Sequence, residues 1–257
     1  MGTNSRVFLM YHEIELADRP LRRSEAGYLR YAIPQGEFRR QMAAIRELAL
    51  AGVSVTEALQ FSGPAVAITV DDGSETDLLT VAPLLREFGF CATFYASPGL
   101  LGKRGFLSAA QLRELSDLGF EIGSHSMTHR YLTDLSDGDL RRELEESKQM
   151  LERMVRRPVE HFSCPGGRSN SRVVQAAAQA GYRTLASSIP HANSSSTDPF
   201  SLGRVAIRRG LGIDSFRELC SGRNLWKLQA GSRILDTAKR VLGNRNYERI
   251  RGSLLPD

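Results

Sequence analysis

The pattern that most limits how this chain can fold is a recurring couplet. A short apolar run, often β-branched, is followed by a loop and then by a segment of helical period that stops at glycine. "VFLMY" (Val7–Tyr11) and "AVAITV" (Ala65–Val70) are the clearest runs, and 90–96, 120–123, 159–164, 183–187 and 203–207 complete the set. Between them, 37–52 carries Phe38, Met42, Ile45 and Leu48 on one face and meets Gly52. A second helix is expected over 76–88, stopped by Gly89. Segment 108–119 opens with Ser108 and Gln111 in capping-box spacing. Segments 137–155 and 170–181 complete the helical series. Strands alternating with helices imply parallel pairing through right-handed crossovers. Seven runs in about 207 residues fit a (β/α) barrel one unit short of eight; an open doubly wound sheet is the other α/β arrangement.

The 257 residues are enough for one large core. No run approaches the ~20 apolar residues of a membrane span, and the apolar stretch near the start is too short for a secretory signal. A cytoplasmic location is therefore expected. Cys91, Cys164 and Cys220 are odd in number and far apart, which fits reduced thiols rather than a disulfide framework. The basic excess is local. Residues 201–257 hold twelve of the 34 basic and five of the 29 acidic residues, which more than accounts for the net charge of +5. Residues 1–211 are thus expected to form the barrel and 212–257 a basic, amphipathic helical extension. Ile234, Leu235, Ala238, Val241 and Leu242 mark its apolar stripe. Packing on the barrel is its expected role, and peripheral contact with a membrane surface is the alternative.

In parallel α/β folds, reactive groups gather where strands end. The residues just beyond the runs are His12 and Glu13, then Asp71, Asp72 and Gly73, then His125 and His129, then Pro165, Gly166 and Gly167. His125 and His129, separated by three residues, can reach one ion if the loop between them turns helically. One Asp completes a two-His, one-carboxylate face that leaves positions open. Adjacent Asp residues on an extended chain point apart. One is therefore assigned to the ion and its neighbour to proton transfer. His161 is expected to be a satisfied core histidine and His191 a solvated one.

Three segments, "AITVDDGSETD", "EIGSHSMTHRYLTDLS" and "HFSCPGGRSN", in that order and spacing, resemble the polysaccharide deacetylases, the NodB-homology domain of carbohydrate esterase family 4. "VFLMYHEI" resembles the opening strand of a subgroup of that family. The resemblance covers roughly residues 5 to 210. It implies a distorted (β/α)7 barrel and metal-dependent removal of N-acetyl groups from amino sugars of a poly- or oligosaccharide or a glycan intermediate. An N-acetylated carbohydrate, not nucleic acid, is then the expected partner. It implies Asp71 as general base, Asp72, His125 and His129 as metal ligands, and the Gly166 amide, after Pro165, as oxyanion donor. One divalent ion is implied; histidine ligation favours Zn²⁺, and Mn²⁺, Co²⁺, Ni²⁺ or Fe²⁺ fit the same face. Two departures stand out. Ser163 occupies the place of the arginine that orients the base, leaving Arg204 or Arg168 as replacements. The late Leu-x-His that supplies the general acid is absent, leaving His12 as the candidate. Two other functions fit these departures: a degenerate carbohydrate-binding module and a metal hydrolase of another non-peptide C–N bond.

Overall fold

Side chains alternate along each strand, and here the alternation sorts them into two separate apolar clusters. The computed structural model describes residues 5–226, 228 and 229. Its strands are β1 (Val7–Tyr11), β2 (Ile14–Glu15), β3 (Ile33–Pro34), β4 (Ala51–Val53), β5 (Ala65–Val70), β6 (Thr93–Ala96), β7 (Glu121–Ser124), β8 (His161–Ser163), β9 (Thr184–Ala186) and β10 (Val205–Ala206). Its α-helices are α1 (Ala26–Leu29), α2 (Gln35–Glu47), α3 (Val55–Gln60), α4 (Ala82–Phe88), α5 (Ala109–Asp117), α6 (Asp137–Val155), α7 (Ser171–Gln179) and α8 (Ile213–Cys220). The main sheet runs β10-β1-β5-β6-β7-β8-β9 with every pair parallel. Its ends meet through an irregular segment: Leu202 N donates to Leu185 O, and Ser187 N to Leu202 O. The result is the expected seven-stranded distorted barrel.

Outward positions (Val7, Leu9 and Tyr11; Val66, Ile68 and Val70; Phe94; Ile122; Phe162; Leu185) join the apolar faces of the helices in one large shell. Inward positions (Phe8, Ala65, Ala67, Tyr95 and Ala186) form a smaller cluster with Leu202 inside the barrel. Continuing the inward series of β5 passes from Ala65 and Ala67 to Thr69 and then to Asp71. Asp71 therefore faces the barrel axis because it is in phase with small, buried residues.

Two boundaries differ from expectation. The segment 37–52 is not one helix. Its helical part ends at Glu47, Ala49 turns through φ 53, and Ala51–Val53 pairs with the first half of β5. Gly52 is there for close packing rather than as a helix stop, since a Cβ would lie 2.6 Å from the Phe90 ring and 2.8 Å from Ile68 Cδ1. The helix expected from 76 begins as a π-helical turn, Asp77–Val81, before α4. Pro83 has no N–H to give to the preceding turn, which accounts for its widening.

Residues 13–34, unforeseen as structured, add the two-stranded β2–β3 sheet and α1 after the C-terminal end of β1. At the other end of the chain α8 packs on α2, burying Phe216, Leu219 and Cys220, with Arg217 bridged to Glu47 at 2.7 Å. The stripe from Ile234 to Leu242 lies outside the described residues. Among the described residues no helix is long and apolar enough to cross a membrane.

Gly123, on the inward face of β7, leaves room for Tyr95. A Cβ there would lie 2.4 Å from the Tyr95 ring and 3.1 Å from His161 O. Gly123→Ala should cost ~1–3 kcal/mol by overpacking, read from the urea midpoint.

Candidate metal centre

At the C-terminal end of the barrel, Asp71 extends β5 and His125 extends β7, both inward. Asp72 would point away from Asp71 on an extended strand. Instead its backbone turns left-handed, φ 82, and returns its carboxylate to the same mouth. The loop after β7 does not turn helically between the two histidines. Ser126 (φ 64) and His129 (φ 61) are both left-handed, and these turns bring the imidazoles to 4.9 Å between centroids. The loop is tied down by Thr128 N donating to Glu143 Oε2 at 2.8 Å and by His129 N donating to Ser126 Oγ at 3.1 Å.

These turns converge on one point. Asp72 Oδ1 lies 3.2 Å from His129 Nε2 and 3.5 Å from His125 Nε2. One ligand atom from each of the three lies within 4.8 Å of the others. His125 Nδ1 sits 2.8 Å from Ser163 O. A carbonyl only accepts, so Nδ1 carries the proton and Nε2 keeps its lone pair for an ion. Two imidazole nitrogens and a carboxylate oxygen suit a divalent cation of borderline softness, so these residues fit the metal that the sequence implies.

The titration of the groups is split. Burial lowers His125 to about 4, against the fields of the two aspartates, so it is neutral and ready to ligate. Burial also lowers His129, but its hydrogen bond to Asp72 wins and raises it above the ordinary imidazole value. Burial acts to raise Asp72, yet the His129 hydrogen bond and the fields of His12 and Arg22 hold it well below the usual carboxylate range.

Asp71 stands behind the triad, its Oδ2 3.9 Å from His125 Nε2. Arg204 grips it from the barrel interior: Nη1 donates to Oδ1 at 2.7 Å and Nη2 to Oδ2 at 2.8 Å. The guanidinium also donates to Thr69 Oγ1 at 3.1 Å, Ser187 O at 3.0 Å and Ser163 Oγ at 2.6 Å, and Ser163 Oγ donates to Asp71 Oδ2 at 3.2 Å. Arg204 is wholly buried. Burial works to raise the Asp71 carboxyl, but Arg204 overrides it and holds the group below its ordinary value. Of the two arginines considered for this place, Arg204 reaches Asp71. Arg168 lies over the Tyr131 ring at 3.9 Å instead.

Pro165, Gly166 and Gly167 form a tight turn after β8 with Gly166 at φ 63. The Gly167 and Arg168 amides close it by donating to Cys164 O and Pro165 O; the Gly166 N–H is not one of them. A Cβ at Gly166 would lie 2.7 Å from the Tyr131 ring. His12, after β1, packs on Tyr31 at 5.3 Å between centroids. Its Nδ1 is buried with no hydrogen-bond partner among the described residues. Burial lowers its pKa, while the fields of Asp72 and Asp71 act the other way. His161 is a satisfied interior residue, with Nε2 2.7 Å from Thr56 Oγ1 and Nδ1 2.8 Å from Thr184 Oγ1. His191 is half-buried, its ring lying against Gly203, instead of standing in solvent.

A family description, polysaccharide deacetylase, matches residues 59–185, the stretch that holds Asp71, Asp72, His125, His129 and Gly166. Over that stretch the chain matches the polysaccharide deacetylase family. Among relatives of this chain, YxkH of Bacillus subtilis (strain 168) is 27% identical over 215 residues, 81% of this chain and 73% of YxkH. The peptidoglycan-N-acetylglucosamine deacetylase of Bacillus cereus is 36% identical over 121 residues. That match takes in 47% of this chain and spans about half (54%) of the relative. The solved structure of the Streptococcus pyogenes deacetylase PplD in complex with acetate shares the fold with a TM-score of 0.74 at 21% identity. That superposition covers 84% of this chain and 98% of PplD.

Two predictions follow from the electrostatics. Arg204→Met leaves a buried carboxylate unpaired and should cost ~3–5 kcal/mol at pH 7, while Asp71→Asn added to it should recover part of the loss. The Asp71 pKa is depressed on folding. Its share of stability is therefore present above the unfolded value of about 3.9 and disappears as pH falls through the lower folded value. The second concerns the triad: of its members, only His129 holds a proton near neutrality. Zn²⁺ binding at pH 6 should release about one proton, measured by calorimetry in buffers of different ionisation enthalpy, and His129→Gln should abolish that release.

Proposed function

We propose that this chain removes N-acetyl groups from amino sugars of a poly- or oligosaccharide, or of a glycan intermediate, by hydrolysis of the amide bond. The observation that carries the reading is the pairing of two carboxylates with opposite partners on one strand end. Asp72 faces two imidazole nitrogens at 3.2 and 3.5 Å, whereas Asp71, its neighbour, is gripped by an arginine at 2.7 Å and stands 3.9 Å from the nearer imidazole.

Asp72, His125 and His129 would hold one divalent ion, with Zn²⁺ the first choice for this donor set. Such an ion supplies Lewis acidity to the acetyl carbonyl and to the attacking water. Asp71 takes the proton from that water. Its carboxylate is ionised at neutral pH and fixed in direction by two arginine hydrogen bonds, which is the requirement for a general base in this position. Arg204 positions Asp71 from below and does the work expected of the arginine that Ser163 replaces, while Ser163 relays the same contact through its hydroxyl. The Gly166 N–H, in a turn that leaves it unused, is assigned to the developing oxyanion. His12 is assigned to the leaving amine. Burial weakens its hold on a proton, so it is neutral at rest, and the proton that Asp71 takes from the water balances the one delivered to the amine, which without protonation is a poor leaving group.

The alternative reading as a degenerate binding module drew its support from the missing arginine and the missing late histidine. Arg204 bonds Asp71 directly, and His12 feels the fields of both aspartates; these two observations support the catalytic reading.

The test is metal content and hydrolysis of an N-acetylated chitooligosaccharide, with and without chelator. Asp72→Ala should lose bound metal and turnover together. Asp71→Asn should keep the metal and lose at least ~10²-fold in kcat. Wild-type chain that binds metal but hydrolyses no acetylated sugar, across oligomers of increasing length, would refute the proposal.

A further inference from the structure

Residues 13–34 are not part of the barrel, yet one of their side chains reaches the metal site. We propose that Arg22 is a positioning residue that fixes which oxygen of Asp72 faces the ion. The inference rests on the metal reading above and adds a role for a side chain that touches neither substrate nor ion.

The two oxygens of Asp72 have different partners. Oδ1 faces His129 Nε2 and His125 Nε2, whereas Oδ2 accepts from Arg22 Nη2 at 3.3 Å. With Oδ2 engaged, Asp72 has one oxygen to offer an ion. That leaves more of the coordination shell for water and a carbonyl.

Arg22 sits in a slot built for it. Its Nε donates to Tyr28 Oη at 3.0 Å and to Glu13 Oε2 at 3.3 Å, and its own backbone N–H donates to the same Glu13 oxygen. Tyr28 Oη also donates to Glu13. The guanidinium lies over the Phe106 ring at 4.5 Å. Gly105, at φ 80, makes room beside it, since a Cβ there would lie 2.5 Å from Arg22 Cγ. The side chains of Arg22 and Glu13 are 5% and 4% exposed. A cation beside a metal ligand would ordinarily repel the ion. Here the Glu13 carboxylate offsets that charge, so what Arg22 contributes is direction. Direction matters because Asp72 is already in a left-handed backbone conformation that side chains seldom adopt.

The test uses the full chain and the metal alone. The variant Glu13→Gln with Arg22→Met has the net charge of the wild type, so repulsion is unchanged and orientation is isolated. Zn²⁺ affinity, read by competition with a chromophoric chelator, should fall about 10–100-fold, the usual effect of losing a partner that orients a metal ligand. Visible absorption of the Co²⁺-loaded variant should weaken, because the released carboxylate can use both oxygens and raise the coordination number. Arg22→Lys, which can still reach Oδ2, should recover part of the affinity, and Arg19→Ala in the same segment should change neither readout. An unchanged Zn²⁺ affinity and Co²⁺ spectrum in the double variant would overturn the proposal. If that variant does not fold, an Arg22→Met chain whose Co²⁺ spectrum is indistinguishable from wild type overturns it as well. A wild-type chain that fails to bind Zn²⁺ or Co²⁺ overturns the metal reading itself.

Discussion

A buried ion pair inside the barrel sets the terms for the rest of this molecule. Arg204 and Asp71 are both withdrawn from water, and taking two charges into the interior costs several kcal/mol each unless hydrogen bonds replace the lost hydration. The barrel supplies them. Arg204 finds five acceptors, counting both Asp71 oxygens, from four residues, and Ser163 adds a third contact to Asp71. The interior is small and partly polar for this reason. Alanines on β5 and a glycine on β7 leave the space that an arginine and a tyrosine then fill. The same pair sets the direction of the carboxylate assigned to proton transfer, so fold and chemistry share one interaction.

From that pair outward, the site follows from strand phase and three backbone turns. Phase brings Asp71, His125 and Ser163 to the axis. Left-handed turns bring Asp72 and His129 to the same place, where phase alone would have scattered them. The segment after β1 then leans across the mouth and engages the outer oxygen of Asp72 through Arg22. Each ligand is thus held from behind: His125 by a carbonyl, His129 by its loop, Asp72 by a guanidinium.

Much of this was legible in the sequence, and the reasons are specific. The strands with period-2 or continuous apolar character, Val7–Tyr11 and Ala65–Val70, appeared with the bounds expected. The candidate ligands could be found because a parallel fold presents strand ends on one rim. Less was legible where short-range pattern carries no signal. Gly52 looks the same as a helix stop and as a close-packing residue, so β4 was hidden. The irregular closure through Leu202 and Arg204 has no periodicity to mark it, yet it delivers the arginine that bonds Asp71. The pairing of Arg22 with Glu13, itself visible at a strand end, was hidden for a related reason: their slot is made by a loop, two aromatic rings and a glycine far apart in the chain. His125 and His129 converge without the helical turn their spacing suggested, because two left-handed residues are cheaper there than they look, once Glu143 and Ser126 anchor the backbone.

Those left-handed residues carry a consequence for how the molecule matures. Asp72, Ser126 and His129 each sit where a side chain is disfavoured, a cost of order 1 kcal/mol or more apiece that the fold must hold in place. A cation captured by two of the three would reward that arrangement and no other. Loading and final ordering of the rim would then be one thermodynamic event, with the empty barrel complete in its shell while its mouth remains the least settled part of the landscape.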